Sequence, residues 1–170
     1  MKILEIDENS IYIDKVHELY ISAFPAEERT DFEDLKYHKF PGSKLLVALE
    51  EDEFIGFSFA ATSKNILYII YLAIDDKFRN KGLGTQLLNE ICDFYPDKAK
   101  CLCVETPSAG EMAKRRIGFY ERNGFVFTHI QFDCYGTDFY ILCRGKFFNE
   151  EFKKLLLKCF PVCKDFEYID

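Results

Sequence analysis

The apolar positions of the chain follow two patterns. In some segments they recur every three to four residues, which predicts amphipathic helices, and in others they form short continuous or alternating runs, which predict strands. Strands are expected over Lys2–Ile6, Ser43–Glu50, Phe54–Thr62, Ile66–Ile74, Lys100–Glu105, Phe125–Phe132 and Asp138–Cys143. Helices are expected from Asn9 or Ser10, either of which can be the cap, to Ala23, and over Thr30–Phe40, Leu83–Tyr95, Met112–Arg122 and from Asn149 onward.

Polar residues at the ends of these segments predict caps and turns. Thr30 with Glu33 has the pattern of a capping box, and Asn149 is a candidate cap for the last helix. Asn123-Gly124 is typical of a left-handed helix end, and Tyr135-Gly136 predicts the turn of a hairpin. The strands between Ser43 and Ile74 then form an antiparallel meander, followed by a strand, helix, strand crossover. The sequence therefore predicts an α/β fold with a mixed sheet.

The size and charge of the chain narrow the class of protein. With 170 residues, 48% of them apolar and 30% charged, it is expected to form a single domain over residues 1–170 with a substantial core. The net charge of −7 argues against a nucleic-acid partner, which requires a basic face. The longest apolar run, Ile66–Ile74, is too short to cross a membrane, and the start of the chain does not resemble a signal peptide. We expect a soluble, cytoplasmic protein without a membrane partner.

Seven cysteines occur in the chain, and an odd number without a secretion signal favours reduced, mostly buried thiols. Cys159 and Cys163 are close in sequence, but Pro161 between them disfavours a regular helix and no histidine is near. We therefore expect no metal site.

The most informative segment is the turn that follows the apolar strand Ile66–Ile74. Glycines at 82 and 84, at the start of a predicted helix, leave backbone amides exposed where the helix dipole favours an anion. A dinucleotide-binding turn would have a third glycine where Leu87 stands, and a P-loop would end in Gly-Lys rather than Lys81-Gly82. Taken alone, the two glycines are also compatible with an ordinary strand-to-helix connection.

Three motifs together resemble the GNAT superfamily of N-acetyltransferases. Arg79, Gly82 and Gly84 match its Arg-x-x-Gly-x-Gly loop for the pyrophosphate of acetyl-CoA. Phe119–Phe125 is similar to its tyrosine-bearing helix and the Gly-Phe that opens the next strand, and Leu102–Glu105 is similar to the strand before that helix. The resemblance spans about residues 45 to 145. It implies a mixed, largely antiparallel central sheet flanked by helices, with a splayed pair of central strands, and acetyl-CoA as the acetyl-donor cosubstrate.

The resemblance also implies roles for individual residues. Tyr120 is the expected proton donor to the coenzyme thiolate, and Glu105 is the expected general base, acting through water. Glu27 and Glu28, in the connection between the first two helices, bind a cationic amine or serve as the base instead. The residues expected to bind the coenzyme, mostly through main-chain groups, are Leu72, Ala73, Ile74, Arg79, Asn80, Lys81, Gly82, Leu83, Gly84 and Thr85.

The expected function is therefore an N-acetyltransferase, an acyltransferase that moves groups other than aminoacyl groups. The acceptor is expected to be a primary amine of a small molecule or peptide that attacks directly in a ternary complex. The alternative is a catalytically inactive acyl-CoA-binding sensor or interaction module, because Ala113 stands where many relatives have asparagine. The protein is expected to be a monomer or a homodimer, the latter through the last strands and Phe147-Phe148.

Overall fold

The computed structural model describes all residues from Met1 to Asp170, and the chain forms two compact units. The first unit contains Met1–Thr62 and Ile69–Pro96, and the second contains Ser63–Tyr68 and Asp97–Asp170. Strand β4 contributes residues to both. The assignment of all 170 residues to one acetyltransferase domain stays a prediction.

The secondary structure follows the predicted order of strands and helices. The strands are β1 Lys2–Ile6, β2 Lys44–Glu50, β3 Glu53–Thr62, β4 Ile66–Ile74, β5 Ala99–Glu105, β6 Val126–Cys134, β7 Thr137–Arg144 and β8 Lys164–Tyr168. The helices are α1 Ile13–Ala23, α2 Phe32–Lys36, α3 Leu83–Phe94, α4 Glu111–Arg122 and α5 Asn149–Cys159. Short 3-10 turns occur at Ala26–Glu28, Asp76–Phe78 and Pro107–Ala109.

The first unit is a meander with helices packed on it. Strands β1, β2 and β3 pair antiparallel, and β4 is the next strand in the sheet. Because β2 and β3 are buried along nearly their whole length, they appear in the sequence as continuous apolar runs. The core of this unit joins the apolar face of α1 to these strands, with Val16, Tyr20, Leu35, Phe57 and Phe59 fully buried.

The second unit contains the crossover and the final hairpin. The beginning of β4 pairs in parallel with β5 from Ile66 opposite Ala99 to Tyr68 opposite Cys101, and the pairing ends there, as a splayed pair of strands requires. Strand β7 pairs antiparallel with both β5 and β6, and β8 pairs antiparallel with β6. The structure thus confirms the predicted α/β fold, with a mostly antiparallel sheet flanked by helices.

Two of the predicted turn signals are confirmed in detail. At the end of α4, the Gly124 amide donates to the Glu121 carbonyl and the Phe125 amide to the Tyr120 carbonyl, with Gly124 at φ +86°. This is the Schellman arrangement, in which a left-handed residue satisfies the last carbonyls of a helix. In the hairpin between β6 and β7, Tyr135 and Gly136 both have positive φ, as the tight turns that match the strand twist require.

The predicted helix caps are wrong. Ser10 accepts a hydrogen bond from the Tyr12 amide (3.2 Å) ahead of α1, and no side chain caps that helix. At α2 the cap is Asp31, whose carboxylate accepts from the Glu33 amide (3.2 Å), so Thr30 and Glu33 form no capping box. The α2 helix also ends at Lys36 rather than Phe40, because the chain turns through a left-handed residue at His38.

Two further expectations near the C-terminus are corrected. Phe148 rather than Asn149 occupies the cap position of α5, and no side chain caps that helix. Strand β8 was not predicted from the sequence, because its residues are mostly exposed and charged side chains interrupt its aromatic ones. Since β8 pairs with β6, β8 and not β6 is the edge strand of the sheet at this side.

Glu151 fixes the turn that precedes β4. Its carboxylate accepts hydrogen bonds from the Ser63 hydroxyl (2.7 Å), the Asn65 amide (2.8 Å) and the Asn65 side chain (3.0 Å). Desolvation raises the pKa of Glu151, but the hydrogen bonds from Asn65 and Ser63 and the charge of Lys98 outweigh it, so the pKa lies below its ordinary value.

We expect Glu151→Gln to lower the free energy of unfolding at pH 7 by about 0.5–1.5 kcal/mol, the usual net contribution of such hydrogen bonds. A depressed pKa contributes stability above the ordinary glutamate pKa, and this contribution is lost as the pH falls through the folded-state value. Urea unfolding at several pH values should therefore show the two proteins converging below about pH 4. Glu150→Gln, an exposed neighbour in the same helical turn, is the control. An equal effect of both substitutions would contradict the role of Glu151.

None of the helices is long and apolar enough to span a membrane.

Candidate active-site residues

The end of β4 and the turn after it form the candidate coenzyme site in the first unit. After Ile74, Asp75 accepts a hydrogen bond from the Lys77 amide (3.0 Å) and starts the 3-10 turn Asp76–Phe78. Asn80 and Gly82 then adopt left-handed conformations, with φ of +61° and +74°. These two residues turn the chain into α3.

The first turn of α3 is open to a ligand. Gly82 occupies the cap position, no side chain caps the helix, and its hydrogen-bond ladder starts with the Gln86 amide donating to the Gly82 carbonyl (3.2 Å). The amides of Leu83, Gly84 and Thr85 therefore have no acceptor within the helix, and the dipole adds positive potential there. A Cβ built on Gly82 meets no atom within 4 Å. The loop thus offers both the donors and the space that a phosphate group requires.

Arg79 stabilises the loop through two contacts within it. Its guanidinium forms a 2.7 Å ion pair with Asp76, and its Nε donates to the carbonyl of Ile74 (3.3 Å). Half of the Arg79 side chain remains exposed, so one edge of the guanidinium can still reach an anion. The arginine thus connects the 3-10 turn to the end of β4.

The end of β4 lies close to β3. Ala73 and Ile74 are buried and Leu72 is half-buried. A Cβ on Gly56 of β3 would collide with the carbonyl oxygen of Ala73, so only glycine allows this approach. The sequence analysis did not single out Gly56, although an isolated glycine inside a strand often marks such a close backbone contact.

The loop between α1 and α2 is held by two tyrosines of the same unit. The Thr30 amide donates to the Tyr71 hydroxyl (3.1 Å), which donates to the Glu28 carbonyl (2.9 Å), and the Tyr20 hydroxyl donates to the Thr30 carbonyl (2.8 Å). Burial raises the pKa of Tyr71, so its hydroxyl stays protonated and keeps donating at neutral pH. Glu27 and Glu28, both exposed, lie in this fixed loop.

We expect Tyr71→Phe to lower the free energy of unfolding by about 1–3 kcal/mol, because it leaves the Thr30 amide and the Glu28 carbonyl without their partner. Tyr20→Phe removes one hydrogen bond and should cost less. Urea unfolding measures both effects, and hydrogen exchange of the Thr30 amide reports the loop itself. Tyr12→Phe, whose hydroxyl makes no hydrogen bond within the chain, is the control. We call the hydrogen bonds of Tyr20 and Tyr71 with residues 28 and 30 the tyrosine clamp. Unchanged exchange of the Thr30 amide in the Tyr71 variant would contradict its role in holding the loop.

Tyr120 lies on α4 in the second unit. Its ring packs edge-on against Phe119 (5.2 Å between centroids) and Phe125 (5.7 Å). Burial raises the pKa of Tyr120, and the nearby charge of Arg116 only partly opposes this. Tyr120 also lines a cavity of about 480 Å³ whose other residues all belong to α4 and are largely basic: Met112, Lys114, Arg115, Arg116, Gly118, Phe119 and Arg122. This cavity is therefore an open depression along one helix, and Tyr120 is half-buried among its lining residues.

Glu105 is the last residue of β5 and is half-buried opposite Phe139 of β7. The next residue, Thr106, fixes the strand end, because its amide donates to the Asp138 carbonyl (3.1 Å) and its hydroxyl lies 2.7 Å from that of Ser108. Ala113 is buried in α4, so no amide side chain is offered at that position.

Comparison with known proteins identifies the family. The model of the Acetyltransferase (GNAT) family matches residues 13–125. The chain therefore belongs to the GNAT family of acetyltransferases, as the three sequence motifs predicted. A search of the curated proteins finds no match to this chain.

Solved structures show the same fold. A protein described as a GNAT-family acetyltransferase from Bacteroides thetaiotaomicron is 26% identical with a TM-score of 0.81, covering 95% of this chain and 99% of its own. The aminoglycoside 6′-N-acetyltransferase from Enterococcus faecium is 18% identical with a TM-score of 0.62, covering 85% and 96%. Arabidopsis thaliana Naa50, in complex with the bisubstrate analogue CoA-Ac-MVNAL, is 19% identical with a TM-score of 0.60, covering 86% and 100%.

Proposed function

We propose that this protein is an N-acetyltransferase that moves the acetyl group of acetyl-CoA to a primary amine. The observation that carries the proposal is the uncapped first turn of α3, where free amides, the helix dipole and the open space at Gly82 fit a pyrophosphate. Acetyl-CoA is the cosubstrate, in keeping with the family and with the CoA-containing analogue bound to Naa50. The main-chain groups of Leu72, Ala73 and Ile74 bind its pantetheine arm, and Arg79–Thr85 bind its phosphates.

The proposed reaction is direct attack in a ternary complex. The neutral amine nitrogen forms a bond to the thioester carbonyl carbon, the carbon–sulfur bond breaks, the nitrogen releases one proton to water, and the thiolate takes up a proton. Tyr120 supplies a hydrogen bond to the sulfur as negative charge develops there. Since a thiol has a pKa near 8.5 and burial keeps the tyrosine pKa above 10, complete proton transfer from Tyr120 is uphill. Its main contribution is therefore to stabilise the departing thiolate, after which solvent completes the protonation.

The amine must lose a proton before it can attack, because an alkylammonium ion has a pKa near 10. Glu105, half-buried at the end of β5, is proposed to take this proton through a water molecule. Glu27 and Glu28 are the alternative bases. Turnover by Glu105→Gln and by the Glu27→Gln, Glu28→Gln double variant would separate the two assignments, since only loss of the true base should lower kcat strongly near neutral pH.

A cationic acceptor fits the loop between α1 and α2. Glu27 and Glu28 are exposed there, and beyond Arg29 and Thr30 two more acidic residues, Asp31 and Glu33, stand at the start of α2. The names of two similar structures refer to an aminoglycoside and to a short peptide, both of which offer primary amines. We therefore propose a small-molecule amine or a peptide amino group as the acceptor.

Isothermal titration of the full chain with acetyl-CoA, followed by an assay for free coenzyme A thiol in the presence of a panel of primary amines, tests the proposal. Micromolar binding with amine-dependent thiol release is the expected result. Binding without release for any amine would favour a coenzyme-binding sensor, which the buried Ala113 would suit. An absence of binding would overturn both functions.

A further inference from the structure

Two cysteines of the second unit bring their sulfur atoms unusually close together. The Sγ atoms of Cys134, the last residue of β6, and of Cys163, just before β8, are 2.6 Å apart. The Sγ atoms of Cys101 and Cys143, which lie opposite each other on β5 and β7, are 3.6 Å apart, an ordinary contact between two thiols. Since a disulfide bond is about 2.05 Å long, the first pair is much closer to bonding distance than the second.

The strand register explains this approach. The last pair of the β6–β8 ladder is Asp133 with Lys164, so the next position on each strand, Cys134 and Cys163, falls at the end of this antiparallel pairing and on facing sides. Opposite residues in such ladders have Cα atoms roughly 4.5–5.5 Å apart, within the range that a disulfide spans. We propose that Cys134 and Cys163 form a reversible disulfide that fastens β8 to β6.

The two thiols differ in accessibility and in acidity. Cys134 is half-buried, whereas Cys163 is buried and its thiol donates a hydrogen bond to the Cys134 sulfur. That hydrogen bond lowers the pKa of Cys134 and raises that of Cys163. Cys134 is therefore the thiol that reacts first, and Cys163 is the one that resolves the intermediate.

The oxidant is a low-molecular-weight disulfide such as oxidised glutathione. The Cys134 thiolate attacks one glutathione sulfur, forms a mixed disulfide and releases one glutathione thiolate. Cys163 then loses its proton and attacks the Cys134 sulfur, which releases the second glutathione. The two cysteines are oxidised by two electrons, the glutathione disulfide is reduced, and the two protons end on the released thiols.

The bond would add a covalent connection to a mostly exposed strand. Most residues of β8 are exposed, and it pairs with β6 at three positions, Ile130 with Tyr168, Gln131 with Glu167 and Asp133 with Lys164. The disulfide closes a loop that contains β7 and α5. A loop of this size should raise the melting temperature of a chain of this length by about 5–10 °C.

The test incubates the full-length reduced protein in buffers of increasing oxidised-to-reduced glutathione ratio. The expected result is a loss of two hydrogens in the intact mass, a higher melting temperature, and reversal of both by dithiothreitol. After digestion of the oxidised protein with trypsin, the peptide of residues 123–144 should remain joined to that of residues 159–164 by the disulfide. Each of these peptides contains a second cysteine, so fragmentation of the linked pair must assign the bond to Cys134 and Cys163.

Matched variants make the assignment independent of the peptide map. Cys134→Ser should lose the two-hydrogen change and the gain in melting temperature, whereas Cys143→Ser should keep both. A bond between other cysteines, for example Cys134 and Cys103, would overturn the proposal, as would no bond at any glutathione ratio. The intact mass of the unsubstituted protein shows whether any bond forms, so this outcome can be read even if a variant fails to fold. None of these outcomes depends on acetyl transfer.

Discussion

Replacing Gly82 with tryptophan is expected to weaken acetyl-CoA binding by about 100-fold or more, close to 2.7 kcal/mol of binding free energy. Gly82 is exposed and no atom lies within 4 Å of a Cβ built on it, so the indole has room but fills the space in front of the α3 amides. The left-handed backbone at φ +74° adds strain for any side chain, of about 1–2 kcal/mol. Isothermal titration measures the loss of affinity.

Gly136→Trp separates steric blocking from backbone strain. Gly136 has φ +80°, is exposed in the β6–β7 turn, and likewise has no atom within 4 Å of an added Cβ. Both variants should therefore lose similar stability, which thermal melting will show, but only the Gly82 variant should lose affinity. Wild-type affinity in Gly82→Trp would mean that the coenzyme does not use the first turn of α3.

Replacing Tyr120 with phenylalanine is expected to lower kcat by a factor of about 10² or more, because the departing thiolate loses the hydrogen bond that stabilises its developing charge. The dissociation constant for acetyl-CoA should change little, because the ring and its packing against Phe119 and Phe125 are kept. Steady-state kinetics with titration of the coenzyme gives both numbers. Unchanged kcat would remove the role proposed for Tyr120.

Tyr168→Phe is the control for Tyr120, because Tyr168 is 69% exposed at the end of β8. The pH profile adds a second check. Burial raises the pKa of Tyr120, so its hydroxyl should remain protonated throughout the range from pH 7 to 9. Activity that depends on this hydroxyl should not fall in that range through its ionisation, and the ratio of wild-type to variant kcat should stay constant there.

Local patterns predicted the elements that form the proposed coenzyme site. Strand β4 has the predicted bounds, Ile66–Ile74, and α3 starts at Leu83 as expected. The pattern here is a buried apolar run, then a glycine turn, then an amphipathic stripe. All of its residues are close in sequence, so the pattern can be recognised without tertiary structure. The end of α4 was predictable for the same reason, because Asn123-Gly124 specifies its own backbone conformation.

Features that depend on distant residues could not be predicted. The tyrosine clamp joins Tyr71 to residues 28 and 30 across a long stretch of chain, and no spacing rule connects them. The ion pair between Arg79 and Asp76 joins residues close in sequence and was also not predicted. The family motif assigns Arg79 to the coenzyme and does not indicate a partner within the chain. The predicted caps were wrong because α1 and α5 start next to Tyr12 and Phe148 rather than at a polar residue, and local pattern does not fix a helix start to the exact residue.

The tyrosine clamp on the α1–α2 loop allows side chains of the loop to change while its main-chain path is kept. Tyr71 holds residue 28 of this loop through the main-chain carbonyl, so this hydrogen bond does not require a particular side chain at that position. Substitutions there can replace negative charge with neutral or apolar groups while the loop keeps its path. The path of the loop is therefore independent of the side chain at residue 28, and under the acceptor role proposed for Glu27 and Glu28 the charge offered to an acceptor can change while the fold is kept.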